Sequence, residues 1–286
     1  MRNQDESGML PDFNQCVIHP GPAHRDEFLS VGMARYFGLI NETSSVSRRE
    51  PVPGDLEDPH TLVLDCGKSL EPARGNFDHH QKGMEGQCTM TLLAEYLGID
   101  KILAVEPWYE RTAQLDSLGP FNTAKEMGLE KFPFSLLSPI EKGLLRLWAQ
   151  EEYLTHYMVE ASAAIFEQLY LDAKAKADDL DWLDNHVKVI DIEGLLVGYI
   201  PDFTGTPTNV SVWMDRHETN FAIAVNPAAR GNGLAMFRIE NNPAVDFTRI
   251  SDRDEVGFAH PGGFLATTKE PVEWAVVEDL IRASLV

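Results

Sequence analysis

The sequence contains little cysteine: 286 residues include only Cys16, Cys66 and Cys88, and no two of them form a C-x-x-C pair. An odd number of widely spaced cysteines argues against a disulfide framework and against a structural zinc site built on thiolates. The first residues are polar and acidic, and fit neither a secretory signal nor an arginine-rich transit peptide. We therefore expect a cytoplasmic protein whose thiols are reduced and mostly buried.

Positive charge is also scarce, since 24 Lys and Arg stand against 45 Asp and Glu, for a formal net charge of −21. Binding to duplex DNA depends on contacts from Lys and Arg to phosphates, so this composition argues against a general duplex binder. A single-stranded or small phosphorylated ligand is still compatible, because bound divalent cations make a site locally positive. No apolar run approaches the roughly 20 residues needed to cross a bilayer, and we expect no membrane association.

The first part of the chain alternates predicted strands with predicted helices. Apolar runs over 16–19 and 61–64 are typical of buried strands, and segments over 26–38 and 89–97 predict helices. Strands that alternate with helices indicate an α/β domain with a parallel sheet. A helical pattern over 138–184 follows and would act as a connector.

The remainder resembles a smaller sheet domain. Short strands are predicted over 187–192, 210–214, 221–225 and 234–239, and a helix over 272–285. We therefore expect two domains: residues 1–183, which include the helical connector, and residues 184–286, which form a smaller α+β domain.

Histidines and acidic residues gather in three short clusters near the amino terminus. The clusters are His19, His24 and Asp26; Asp65; and Asp78, His79 and His80. Imidazole and carboxylate groups are the ligands of divalent manganese, iron, cobalt and zinc, and this set is larger than one ion needs. His19 and Asp65 end two predicted parallel strands, whose carboxyl ends are where ligands gather. The pattern predicts a hydrolytic centre with two metal ions.

These clusters resemble the motifs of the DHH phosphoesterase superfamily, which is named after the triplet matched here by Asp78-His79-His80. In particular they resemble its Myg branch, the melanocyte-proliferating-gene proteins, which are reported as RNA exonucleases. The matching segments are, in order, His19 to Glu27, Asp65 to Gly67, Phe77 to Gln81 and Phe258 to Phe264. The resemblance implies a DHH-type catalytic domain followed by a small substrate-binding domain.

The resemblance also implies a ligand set for each of two ions. The first ion would be held by His19, His24 and Asp65, and the second by Asp26, Asp65, His79 and Asp116. One carboxylate can bridge two cations, which is the role implied for Asp65. Oxygen-rich ligand sets with a few imidazoles favour manganese, with magnesium or cobalt as substitutes.

Further residues are implied to act on the substrate. His80 would bind the substrate phosphate, and Asp78 would orient a histidine through its ring N–H. In the small domain Arg230 and His260 are candidate anchors for phosphate. Phe264 or Trp213 could stack a base.

We expect a manganese-dependent phosphodiesterase that degrades short single-stranded RNA or oligonucleotides from the 3′ end. The RNA preference and the polarity follow from the resemblance alone. Two alternatives stay open: a small-molecule nucleotide phosphatase or pyrophosphatase, and a catalytically inactive relic that binds metal or nucleotide. Departures from the family pattern at Lys68, Asp116 and Ala266 keep the relic hypothesis open. The native metal and the oligomeric state are also open.

Overall fold

The computed structural model describes residues 12–128, 139–217, 220–231 and 233–286. The chain divides into two compact units, Met1–Lys174 and Ala175–Val286. Both units combine helices with a sheet, which confirms the predicted α/β class with a second, smaller domain. The division falls inside the helix His156–His186, and the boundary between residues 183 and 184 stays a prediction.

The first unit contains a six-stranded sheet. Its strands are β1 (Phe13–Ile18), β2 (Ile40–Arg48), β3 (Thr61–Leu64), β4 (Leu70–Glu71), β5 (Asn76–Phe77) and β6 (Tyr153–Leu154). They lie in the order β4-β5-β3-β1-β2-β6. The four central strands run parallel, and the short edge strands β4 and β6 are antiparallel to their neighbours. The predicted parallel sheet is confirmed.

The register of the central strands brings their carboxyl ends together. The last three residues of β1 and all of β3 are buried, as expected for strands covered on both faces. Ile18 at the end of β1 pairs with Leu64 at the end of β3, and Leu64 pairs with Phe77 at the end of β5. The residues that follow these three strands therefore leave the sheet side by side.

Helices pack around this sheet. They are α1 (Arg25–Tyr36), α2 (Pro53–Glu57), α3 (Thr89–Leu97), α4 (Asp100–Leu103), α5 (Pro107–Glu126), α6 (Pro139–Trp148) and α7 (His156–His186). α1 is buried from Asp26 to Ala34 and packs against α3. Phe28 of α1 contacts Trp148, with ring centroids 5.0 Å apart, in the core of this unit.

The second unit has a mixed six-stranded sheet. Its strands are β7 (Lys188–Ile192), β8 (Leu195–Tyr199), β9 (Phe221–Pro227), β10 (Leu234–Arg238), β11 (Val256–Ala259) and β12 (Leu265–Thr268). They lie in the order β11-β12-β10-β9-β8-β7, and only the β8–β9 pair is parallel. Helices α8 (Pro207–Arg216) and α9 (Trp274–Ser284) complete the unit.

The prediction of a strand over 210–214 is wrong, because these residues lie in α8. Pro207 occupies the first turn, where its missing N–H is harmless to a helix. Val210, Trp213 and Met214 are buried at helical spacing. Trp213 is 6% exposed, and its indole N–H donates to Asp184 at 2.7 Å, so it is not placed to stack a base.

Two further expectations concern the state of the cysteines and the presence of membrane-spanning helices. Cys16, Cys66 and Cys88 are free and buried, as expected. Among the described residues, no helix combines the length and the apolar character that a membrane span requires.

Candidate metal centre

The three predicted clusters meet at the carboxyl edge of the first sheet. His19 follows β1, Asp65 follows β3 and Asp78 follows β5. Asp65 is 2% exposed and has a φ of 60°, a left-handed conformation that is uncommon outside glycine. Its N–H donates to the carbonyl of Phe77 at 2.9 Å, which ties β3 to the start of the Asp-His-His segment. Backbone strain of this kind concentrates at functional sites.

Asp26, Asp65, His79 and Asp116 form one compact group, in which the potential ligand atoms lie within 4.8 Å of one another. Nε2 of His79 is 2.8 Å from Oδ2 of Asp116 and 3.2 Å from Oδ1 of Asp65. Asp26 and Asp65 are buried, and the side chain of Asp116 is 14% exposed. The structure thus brings together the four residues that the resemblance implies for the second ion.

The amino terminus of α3 holds Asp26 in place. Oδ1 accepts the N–H of Met90 at 2.7 Å, and Oδ2 accepts the N–H of Thr89 at 3.0 Å. A helix amino terminus stabilises an anion through its free N–H groups and its dipole. The hydroxyl of Thr89 also lies 3.4 Å from Oδ1 of Asp65. Sequence reasoning missed these contacts, because backbone donors carry no side-chain signal.

A second group contains His19, Glu27 and Asp65, again with potential ligand atoms within 4.8 Å of one another. His24, which the resemblance implies for this position, belongs to none of the groups of three or more potential ligands among the described residues. Its side chain is 50% exposed, and Nδ1 lies 3.8 Å from Oδ1 of Asp116. Glu27 lies within the first sequence motif, but the resemblance implies no role for it.

Arg48, at the end of β2, is a buried cation behind this group. Nη2 donates to Oε1 of Glu27 at 3.1 Å and to the carbonyls of His19 and Gly21 at 3.3 and 2.9 Å. Nη1 donates to the carbonyl of Trp148 at 2.7 Å. Arg48 therefore fixes both Glu27 and the loop that carries His19. No sequence prediction included it, because β2 is a polar stretch that was not predicted as a strand.

The Asp-His-His segment places His80 at the rim of the centre. Asp78, which is 1% exposed, accepts the N–H of Lys68 at 2.6 Å and the N–H of His80 at 2.9 Å. Its Oδ1 lies 2.7 Å from Nδ1 of His80, whose side chain is 49% exposed. Burial raises the pKa of Asp78, but the hydrogen bonds from His80 and Lys68 outweigh it and leave that pKa below its ordinary value. His80, Asp65 and His79 form a third group of potential ligands.

The buried carboxylates place an excess of negative charge in the centre. Burial, followed by the charges of Asp65 and Asp116, raises the pKa of Asp26 to about 8. Burial and the charge of Asp65 raise the pKa of Glu27 well above its ordinary value, although Arg48 opposes the shift. Burial lowers the pKa of His79, but its bonds to Asp116 and Asp65 prevail and raise that pKa to about 10.

The donor set fits divalent metal ions. Nδ1 of His19 and Oε2 of Glu27 are buried and accept or donate no hydrogen bond. Buried polar atoms are normally satisfied, so unpaired atoms on two potential ligands of one group fit a bound cation. Carboxylate oxygens with a few imidazole nitrogens suit manganese, and one shared carboxylate suits two ions.

The predicted phosphate contacts of the second unit lie apart from each other. Arg230 is exposed in the turn that leads from β9 to the start of β10. His260 lies at the other end of β10, because its N–H donates at 2.8 Å to the carbonyl of Leu265, which pairs with Phe237. Its ring lies 4.1 Å from that of Phe264, which is 41% exposed. Arg230 and His260 are therefore separate candidates rather than one joint site.

Comparisons with known proteins found similarity to solved structures alone. No family model matches the sequence, and no curated protein matches it. Among solved structures, a pGpG-specific phosphodiesterase (PggH) from Vibrio cholerae matches with 13% identity and a TM-score of 0.31, over 96% of this chain and 99% of that chain. RecJ in complex with Mn2+ from Thermus thermophilus matches with 14% identity and a TM-score of 0.29, over 94% of this chain and 51% of that one. An uncharacterized protein from Helicobacter pylori matches with 12% identity and a TM-score of 0.25, over 94% and 99%.

Proposed function

We propose that this protein is a phosphoesterase that depends on two divalent metal ions. The observation that supports it most is that Asp65 belongs at once to the group with Asp26, His79 and Asp116 and to the group with His19 and Glu27. A buried carboxylate shared by two sets of ligands is the arrangement expected of a two-ion hydrolytic centre. The order of the sequence motifs, which resembles that of the DHH superfamily, supports the same proposal.

The side chains of the centre suggest how the ions would be held. Asp26, Asp65, His79 and Asp116 would hold one ion, with Asp26 kept in position by the amino terminus of α3. The other would lie between His19 and Asp65, with His24 implied nearby by the resemblance. The bound ions, which we propose to be manganese, would supply Lewis-acid activation of water and neutralisation of phosphoryl charge.

His80 would contact the substrate phosphate at the rim of the centre. It is half-exposed, while its Nδ1 is held by Asp78, so the ring has a fixed orientation and remains accessible. With Nδ1 held by Asp78, the other ring nitrogen of His80 can contact a phosphate oxygen. Asp78 acts through His80 and is a positioning residue.

We propose short single-stranded RNA or oligonucleotides, degraded from the 3′ end, as the substrate. This choice follows the resemblance to the Myg branch, and the net charge of −21 agrees with a ligand smaller than a duplex. In the second unit, Arg230 and His260 are proposed as separate phosphate contacts. The three buried thiols are compatible with a cytoplasmic location, which we also propose.

The function can be tested on protein stripped with a chelator and reloaded with manganese chloride. Short RNA labelled at either end, a bis-phosphorylated nucleotide and pyrophosphate are offered in parallel. We expect manganese-dependent release of nucleotides from the 3′ end of the RNA. Asp65→Asn and His79→Ala should each abolish turnover, whereas Glu126→Gln, an exposed acid on α5, should not.

The other outcomes separate the alternatives. Fast cleavage of the nucleotide or of pyrophosphate with inert RNA would establish a small-molecule phosphatase or pyrophosphatase. Manganese-loaded protein that hydrolyses none of the substrates would support the inactive relic and contradict the proposed function.

A further inference from the structure

We propose that Glu27 is a ligand at the first metal position, beside His19 and Asp65. The family resemblance assigns His24 to this position and gives Glu27 no role. The proposal rests on the two-metal function proposed above, which it deepens by assigning a ligand that the motif comparison does not supply. Three observations support the proposal: the burial of Glu27, its unpaired oxygen and the contacts of the neighbouring residues.

Glu27 is placed as a ligand would be. It lies in the first turn of α1, is fully buried, and offers an oxygen within 4.8 Å of the potential ligand atoms of His19 and Asp65. Its Oε2 is buried without a hydrogen-bond partner, and so is Nδ1 of His19. Leaving a buried carboxylate oxygen unpaired is costly, and a cation bound by this group would give it a partner.

The ion pair with Arg48 does not by itself explain Glu27. Arginine–carboxylate pairs frequently form two parallel N–H bonds, which hold both carboxylate oxygens. Here Arg48 gives Glu27 one bond, at 3.1 Å to Oε1, and directs its other described bonds to backbone carbonyls of His19, Gly21 and Trp148. Arg48 thus orients Glu27 from behind and leaves Oε2 available.

His24 is placed less well for this position. It precedes the first residue of α1, its side chain is 50% exposed, and its nearest acidic contact is Asp116 at 3.8 Å. Its ring centroid is 6.0 Å from that of His19. Glu27, three positions further along the chain, is buried in the interior instead. The geometry therefore favours Glu27 over His24 as the third partner of His19 and Asp65.

The test measures manganese binding rather than turnover. Metal-free wild type, Glu27→Gln, His24→Ala and the surface control Glu126→Gln are titrated with manganese chloride by calorimetry, and the loaded samples are examined by electron paramagnetic resonance. We expect wild type and Glu126→Gln to bind two ions with a spin-coupled signal. Glu27→Gln should bind one ion tightly, with the second weakened at least about 10-fold and the coupled signal lost. His24→Ala should weaken binding less than Glu27→Gln.

A second variant, Glu27→Asp, separates loss of metal binding from loss of folding. It keeps the negative charge that faces Arg48, but its carboxylate lies one methylene further from the metal position. It should fold like wild type and still bind the second ion more weakly. If both Glu27 variants bind two ions with wild-type affinity and only the metal-free melting temperature falls, Glu27 is a structural partner of Arg48 and the proposal is wrong. Wild-type protein that binds no manganese would instead contradict the two-metal function itself.

Discussion

Removing the charge of Arg48 should destabilise the metal-free protein strongly. The Arg48 side chain is 3% exposed and the Glu27 side chain fully buried, so Arg48→Met leaves a carboxylate without its cation next to Asp65. Removing one partner of a buried ion pair typically costs about 3–5 kcal/mol. The carbonyls of His19, Gly21 and Trp148 also lose their donor, which places the expected loss in the upper half of that range.

The neighbouring Arg49 provides a matched control. Its side chain is 29% exposed and makes two bonds to Asp55, at 2.6 and 2.9 Å. Because it is less buried, Arg49→Met should cost only about 1–2 kcal/mol. Both variants are compared with wild type by urea unfolding of metal-free protein, followed by circular dichroism and tryptophan fluorescence. Equal losses for the two variants would refute the argument from burial.

A double variant isolates the contact between Arg48 and Glu27. Glu27→Gln removes the charge that Arg48→Met leaves unpaired, so the combined loss should be smaller than the sum of the single losses by about 1–3 kcal/mol. Additive losses would show that Arg48 acts only through the backbone carbonyls and that the ion pair contributes little.

Three further predictions concern packing, pH and metal. Gly32→Ala should destabilise the fold by about 1–3 kcal/mol, measured by urea unfolding, because an added Cβ would lie 2.5 Å from the carbonyl oxygen of Ser162; an unchanged midpoint would contradict the close packing of α1 on α7. The hydrogen bond from Arg49 lowers the pKa of Asp55, so this pair stabilises the fold above the ordinary pKa of 3.8 and its contribution is lost as pH falls through the lower folded value. Asp55→Asn should therefore be less stable than wild type at pH 7, and the difference should disappear in acid; a constant difference would argue against the shift. Manganese at about 100 times its dissociation constant should stabilise the fold by roughly 2.7 kcal/mol, seen as a higher melting temperature that a chelator reverses; no shift would count against a metal centre.

Local patterns in the sequence were sufficient to predict the parallel sheet. They also predicted that the three clusters lie close together at one edge of it. The buried runs before His19 and Asp65 identify two strands, and parallel strands place their carboxyl ends at one edge. The second unit was less predictable. The run over 210–214 has the apolar composition of a strand, but it is buried as one face of α8, because tertiary contacts override local preference. The sequence does not predict β2, because its mostly polar side chains lack the apolar run that is typical of a buried strand. In the structure it nevertheless pairs with β1.

What the sequence by itself determined is the type and order of the groups in the centre: imidazoles and carboxylates at the ends of adjacent strands, with Asp65 among them. The tertiary structure decided which of two nearby residues, His24 or Glu27, is buried beside the other potential ligands. His24 and Glu27 lie three positions apart, and only the packing of α1 buries Glu27 against Arg48 while His24 stays half-exposed. The backbone N–H groups that hold Asp26 likewise come from another helix. Contacts between distant segments depend on three-dimensional packing, which spacing along the chain does not record.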